Sequence, residues 1–218
     1  MLFEKLTLSQ KIADHIATQI VEGKLEPGQR LLEQELKDIF GTSRAPIREA
    51  LFLLENQGVV ERVPRKGVFV KKYSRKEILD FYDIVYRLTE IALKKGVINR
   101  STEQINYLFE IIEEMENSIK DEELKKCFLL VEKLHMFLFE LPNNLVLKDL
   151  YEKLNKRWTT FRYLTLSHPD SLSQSICEYK EIIIGLRDQD EEKILKVLSK
   201  KEKRALAILE RILVEQNN

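Results

Sequence analysis

Residues 33 to 70, EQELKDIFGTSRAPIREALFLLENQGVVERVPRKGVFV, leave this chain little freedom in how it folds. Leu36, Ile39 and Phe40 fall on one side of a short helical stretch from Glu33 to Phe40, and Gly41 supplies the turn a following helix needs. Ser43 is a good N-cap for that second helix, with Thr42 the alternative, and Pro46 falls in its first turn, where a missing N–H costs little. Ile47, Ala50, Leu51 and Leu54 then recur at helical spacing for burial. After Gly58, VVERV and VFVKK flank PRKG, two β-rich runs joined by a short loop with Arg65 and Lys66 at its tip. Helix, turn, helix and hairpin in that order predict a winged helix-turn-helix.

The face of the second helix opposite its apolar residues begins with Arg44, Ala45 and Arg48. Two arginines four residues apart at a helix start can reach phosphates or guanine edges, and the hydroxyls of Thr42 and Ser43, with the helix N-terminus, suit phosphate oxygens. An isolated Arg or Lys is ordinarily a solvated surface residue. The gathering of Arg44, Arg48, Arg65 and Lys66 on this one motif points instead to double-stranded DNA.

Charge is distributed in the same sense. The whole chain balances 36 Lys and Arg against 36 Asp and Glu, yet residues 1 to 75 carry 13 basic and 10 acidic side chains, leaving 23 basic and 26 acidic for the rest. A net +3 head thus precedes a net −3 body. The 218 residues suffice for two modest domains, and 44% hydrophobic content gives each a core. Cys127 and Cys177 form neither a metal spacing nor a disulfide framework, which fits a reducing cytoplasm. The opening MLFEKLTLSQ lacks the apolar core of a signal peptide, and no apolar run approaches membrane-spanning length.

Upstream of the motif, Ser9 is placed to cap a helix in which Ile12, Ala13, Ile16 and Ile20 share a face, with an end at Gly23 and a turn at Pro27–Gly28. His15 on this helix, with no convergent partners, reads as a surface or packed imidazole. From about Ser74 the pattern becomes long and helical. Six helices are expected, near 75 to 97, 102 to 119, 121 to 140, 143 to 166, 170 to 188 and 190 to 215. Their short connections predict an antiparallel bundle. The expected fold is therefore mainly α: a winged helix-turn-helix over 1–73 and an all-α domain over 74–218, with a short hinge around Lys71 to Arg75.

The stretch GKLEPGQRLLEQELKDIFGTSRAPIREALFLLENQGVVERVPRKGVFV resembles the DNA-binding domain of GntR-type bacterial transcription regulators. It matches the G-x-L-x-P-G-x-x-L approach, the S-R-x-P-x-R-E-A-L-x-x-L recognition helix and the G-x-F-V wing. The resemblance implies DNA contacts at Ser43, Arg44, Arg48, Lys66 and Gly67, with Ala45 standing where relatives commonly have Thr. DFYDIVYRLTEIAL, LHMFLFELPNNLVLKDLY and EYKEIIIGLRDQDEEKILKVLSKKE resemble the helical FCD domain of the FadR-like subfamily, and six helices suggest its shorter VanR-like form.

That second resemblance implies a divalent metal, Zn or Ni, held by one Asp and three His. The corresponding positions here are Val131, His135, Tyr179 and Lys201. Valine cannot coordinate and an ammonium repels a cation, so the metal site is expected to be lost unless Glu132 and His168 enter it. The same positions, with Val85, are expected to line an effector cavity whose imidazole, phenol and ammonium suit an organic acid. In the competing reading His135 and Tyr179 are satisfied core polar groups and Lys201 lies on the surface. Phe128, Leu130, Leu134, Phe137, Leu138 and Leu141 read as core or dimer surface, while Trp158, Phe161 and Tyr163 suit either the core or a ligand wall.

The expected function is a transcription regulator, most simply a repressor. It would bind a near-palindromic operator as a homodimer and respond to a small effector in the helical domain. Two alternatives stay open: a constitutive DNA-binding dimer with a purely structural helical domain, and an enzyme. The sequence shows no paired acid and base, activated nucleophile or metal motif that an enzyme would need.

Overall fold

The computed structural model describes residues 7–168 and 170–215. The chain forms two compact units divided between Ser74 and Arg75. In the first, α1 (Leu8–Val21), β1 (Arg30–Leu31), α2 (Glu33–Phe40) and α3 (Arg44–Asn56) precede a hairpin of β2 (Val60–Val63) and β3 (Gly67–Val70). Ile12, Ile16, Ile47, Ala50, Leu51 and Leu54 sit at the centre of its core, together with Val60, Val68 and Val70 from the sheet. Each fully buried Val, Leu or Ile among them stabilises the fold by about 1.5–3 kcal/mol.

Three local expectations change. The cap of α1 is Thr7, not Ser9: Thr7 and Gln10 form a reciprocal capping box. Ser9 is buried inside the helix and donates to the Glu49 carboxylate at 2.7 Å. Ile39, expected inside, is 70% exposed because the eight-residue helix turns only Leu36 fully inward. The sheet has a third strand, β1, which pairs antiparallel with β3 (Arg30 opposite Phe69, Leu31 opposite Val68) and puts β3 at the centre. Two residues carry no periodicity, so nothing in the sequence marked it.

The second unit contains α4 (Arg75–Asn99), α5 (Thr102–Lys120), α6 (Leu124–Leu138), α7 (Leu145–Leu166), α8 (Ser171–Asp188) and α9 (Glu191–Glu215). Ser101 and Gln104 box the start of α5, and the Asn144 side chain accepts from the Leu147 N–H at the start of α7. Helix α6 is shorter at both ends than the apolar pattern suggested. Glu122 is left-handed (φ 57°) before it, and Phe139 and Glu140 bond back to Met136 and Phe137 carbonyls after it. Helix α5 packs on α6 and α8, α9 on α8 and α4, and α7 on α4 and α8. Gly185 permits the close approach of α9 to α8: a Cβ there would lie 2.5 Å from Cγ1 of Ile194.

Candidate nucleic-acid interface and interior cavity

In the N-terminal unit Gly41 closes α2 in the left-handed conformation (φ 58°), and its N–H bonds to the Lys37 carbonyl. The chain then turns through Thr42 into Ser43, the N-cap residue of α3, whose side chain makes no capping hydrogen bond. The core face of α3 is buried, so Arg44, Ala45 and Arg48 must project to solvent, and all three are exposed. Both arginines reach toward α2. Arg48 Nε meets Glu33 Oε2 at 2.9 Å, and Arg44 Nη2 meets Gln34 Oε1 at 3.5 Å. These exposed contacts are weak and exchangeable, so a polyanion can displace them. Glu33 and Gln34 were not singled out from sequence; the charge pattern signals such cross-helix pairing only once the two helices are placed.

Val63 pairs with Gly67 to close the wing, and the Lys66 N–H bonds to the Val63 carbonyl at 3.0 Å. Arg65, at the tip, has φ 63°, a conformation that favours glycine and costs an arginine roughly 1–2 kcal/mol. Gly67 has φ 113°, and a Cβ there would press on the Arg30 guanidinium at 3.3 Å. Arg30 on β1 therefore adds a cation beside the wing, one that sequence reasoning missed because β1 itself was invisible.

The helical unit encloses a cavity of about 30 Å³, room for water-sized molecules. His135 from α6, Tyr179 from α8 and Lys201 from α9 all line it. Val85 and Val131 are buried but do not belong to the lining. Glu132 and His168 are outside it as well; the Glu132 carboxylate accepts from Asn155 at 3.0 Å. Of the aromatic residues left between core and ligand wall, Trp158 faces the cavity. Phe161 packs on Phe81, and Tyr163 on Phe128. Leu138 also lines it, while Leu130, Leu134 and Leu141 are core and Phe137 packs on Tyr107.

The His135 Nε2 lies 2.6 Å from the Tyr179 hydroxyl, and the Lys201 ammonium sits 3.9 Å above the Tyr179 ring. Burial, then the Arg162 and Lys201 charges, hold His135 well below its usual pKa, so the imidazole is neutral. Lys201 is not on the surface: it is 6% exposed, and burial lowers its pKa to about 7 against the pull of Glu178. Glu178, 3% exposed, accepts from Lys201 at 3.2 Å and from Arg204 at 2.9 and 2.7 Å. Arg204 also donates to the Ser171 and Ser175 hydroxyls, each at 2.8 Å. Burial alone would raise the Glu178 pKa, but Arg204 and Lys201 hold it below the usual carboxylate value. An imidazole already engaged by a phenol, a valine and an ammonium do not fit a divalent cation. Among the described residues no group of three or more His, Cys, Asp and Glu gathers to hold one.

Two buried charged residues, Glu178 behind the cavity lining and Arg162 within it, escaped sequence reasoning. Glu178 supplies the counter-charge for α9. Arg162, 5% exposed on α7, lines the cavity one helical turn beyond Trp158. Among the described residues its guanidinium reaches no carboxylate; Nη2 lies 3.4 Å from the Thr159 hydroxyl, and Nη1 has no hydrogen-bond partner. A charge interrupting an apolar helix face was the available signal.

Comparison with known proteins bears on both units. The sequence model of "Bacterial regulatory proteins, gntR family" matches residues 8–70, and that of the FCD domain matches residues 80–200. The uncharacterized HTH-type transcriptional regulator YdhC of Bacillus subtilis is 27% identical over 82% of this chain and 80% of its own length. The HTH-type transcriptional repressor RspR of Escherichia coli is 24% identical over 84% of this chain and 80% of its own. Among solved structures, E. coli McbR/YncC superposes with a TM-score of 0.78 at 22% identity, covering 98% of this chain and all of that one. This last likeness speaks to the fold alone. No described helix is long and apolar enough to cross a membrane.

Proposed function

This chain belongs to the gntR family of bacterial regulatory proteins and carries an FCD domain, and from that premise we propose that it is a ligand-responsive repressor of transcription. It binds a near-palindromic operator as a cytoplasmic homodimer. The observation that carries this is the exposed N-terminal end of α3, where Arg44 and Arg48 project from a rigid, fully packed helix beside a hairpin tipped by Arg65 and Lys66. In this reading Arg44 and Arg48 enter the major groove, Thr42 and Ser43 position the backbone, Ala45 makes close apolar contact, and Arg65, Lys66 and Gly67 follow phosphates or the minor groove. The name of the relative RspR supports repression as the sign of regulation.

The helical domain then acts as the sensor. An effector shifts operator affinity only by its differential affinity for DNA-competent and incompetent dimers. The small cavity favours one competitor, a constitutive DNA-binding dimer whose helical domain only holds two copies together. Footprinting on DNA selected from genomic fragments decides the first part: two half-sites whose centres are about one helical turn, or a multiple, apart are expected, and protection without sequence preference contradicts it. A thermal-shift screen decides the second, since a ligand that stabilises the protein and alters operator affinity is expected of a sensor and not of the competitor.

A further inference from the structure

Along α3 and β2 the exposed arginines already have internal partners. Arg48 meets Glu33, Arg44 reaches Gln34, and Arg62 meets Glu55 at 3.1 Å. At the wing the pattern reverses. Arg30, Arg65 and Lys66 are all exposed, and among the described residues none of their side chains has a hydrogen bond or an ion pair. Arg65 and Lys66 stand at the tip of the hairpin, but Arg30 comes from the edge strand β1, whose backbone is locked. The Gly28 N–H bonds to the Val70 carbonyl and the Val70 N–H to the Gln29 carbonyl, each at 2.8 Å, and Arg30 and Leu31 then pair with Phe69 and Val68. Leu31 is buried, so strand alternation turns Arg30 to the outer face of the sheet.

There the guanidinium lies over Gly67. A Cβ on that residue would come within 3.3 Å of Nε and 3.4 Å of Nη2, so any side chain at this position would push the guanidinium aside. The wing glycine is therefore both a backbone requirement, at φ 113°, and the seat of Arg30. Glu61 shares the outer face from the far strand, opposite Phe69, yet among the described residues no ion pair joins it to Arg30. A charge on an edge strand also discourages strand pairing, but that role needs no fixed seat. A cation that is held in place without a counter-charge suits an external anion, because little side-chain freedom remains to be lost on binding.

We propose that Arg30 is a DNA-binding residue in its own right, its guanidinium taking a backbone phosphate beside the groove that the wing tip follows. This rests on the reading of the head as an operator-binding domain and gives the wing three cations instead of two. The contact is to phosphate and not to a base edge, because Arg30 stands one strand aside and its guanidinium lies behind Lys66, over Gly67. The protruding tip enters the groove first, and Arg30 meets its rim. A guanidinium there can hold two phosphate oxygens at once.

The test compares full-length wild type, Arg30→Gln and Arg30→Lys for affinity to the selected operator and to an unrelated duplex of equal length, over a salt series from about 50 to 200 mM. Arg30→Gln is expected to lower the salt slope by roughly one unit and to weaken both duplexes alike, about fivefold near physiological salt. Arg30→Lys keeps the charge and is expected to keep the slope. Gly67→Ala unseats the guanidinium and is expected to weaken binding less in the Arg30→Gln background than in the wild type. Three results overturn the assignment: affinity and slope unchanged in Arg30→Gln, affinity lowered with the slope unchanged, or a loss confined to the operator. Equal losses from Gly67→Ala in both backgrounds overturn the seat. Wild type that binds no duplex removes the DNA-binding reading and this contact with it, whereas wild type that binds and is matched by Arg30→Gln removes the contact alone.

Discussion

The N-terminal unit holds Arg44, Arg48, Arg65 and Lys66 in solvent, where the ion pair from Arg48 to Glu33 joins a side chain 63% exposed to one 29% exposed. The helical unit holds Lys201, Arg204 and Arg162 inside, where the carboxylate of Glu178 is 4% exposed and the Lys201 side chain 7%. Exposed cations cost little and wait for a polyanion; buried ones persist only if a counter-charge answers them. The difference separates a surface open to a large external partner from an interior closed to one.

The contrast breaks most visibly at Glu178. Glu178→Ala leaves Lys201 and Arg204 buried without a shared counter-charge and is expected to cost about 3–5 kcal/mol of stability in urea denaturation. A loss near that of an exposed pair, roughly 1 kcal/mol or less, would put the Glu178 cluster in the same class as the head.

A second effect belongs to pH. Burial holds His135 well below the usual 6.5 in the folded state, so beneath that pH the unfolded chain takes up a proton that the folded chain refuses. Stability therefore falls as pH drops through 6.5, at up to about 1.4 kcal/mol per pH unit for this one group. His135→Phe should flatten that slope between pH 6.5 and about 5. Lys201, lowered to about 7 in the folded state, and Glu178, held below the usual carboxylate value, add slopes at the two edges of this window that wild type and variant share, so the difference between them isolates the imidazole. A slope unchanged by the substitution would mean that the imidazole is not held neutral.

The smallest effect is expected in the head. Glu33→Gln frees Arg48 and should change stability by no more than about 0–1 kcal/mol, while raising DNA affinity because a competing carboxylate is gone. A marked loss of stability in the same denaturation experiment would show that this pair holds the fold together.

What could be read from the sequence follows the same division. The residues proposed to face DNA lie within one 26-residue span, Thr42 to Gly67, on a motif whose turn glycine, cap, buried periodicity and hairpin all agree. Six helices and their connections were equally plain, since 3.6-residue periodicity survives over long stretches. The cavity was only partly visible. His135, Tyr179 and Lys201 came from positions implied by resemblance, whereas Arg162 and Glu178 acquire meaning only from α7, α8 and α9 standing together. Val85 and Val131 show the converse: apolar residues on the right helices that face other neighbours. Ile39 and β1 were misjudged because one short helix and a two-residue strand carry too little pattern to decide a face or a pairing.

The central claim, that the head reads DNA through α3 and tracks it with the wing, is met most directly by operator affinity across a salt series for three proteins: the wild type, Arg44→Ala with Arg48→Ala, and Arg65→Ala with Lys66→Ala. Each helix substitution should cost about 1–3 kcal/mol of specific binding and spare non-specific binding, with the fold intact by circular dichroism. The wing pair should weaken binding to all sequences alike and lower the salt slope by roughly one unit for each phosphate that is no longer neutralised. Operator affinity and salt slope unchanged in both double variants would contradict the account.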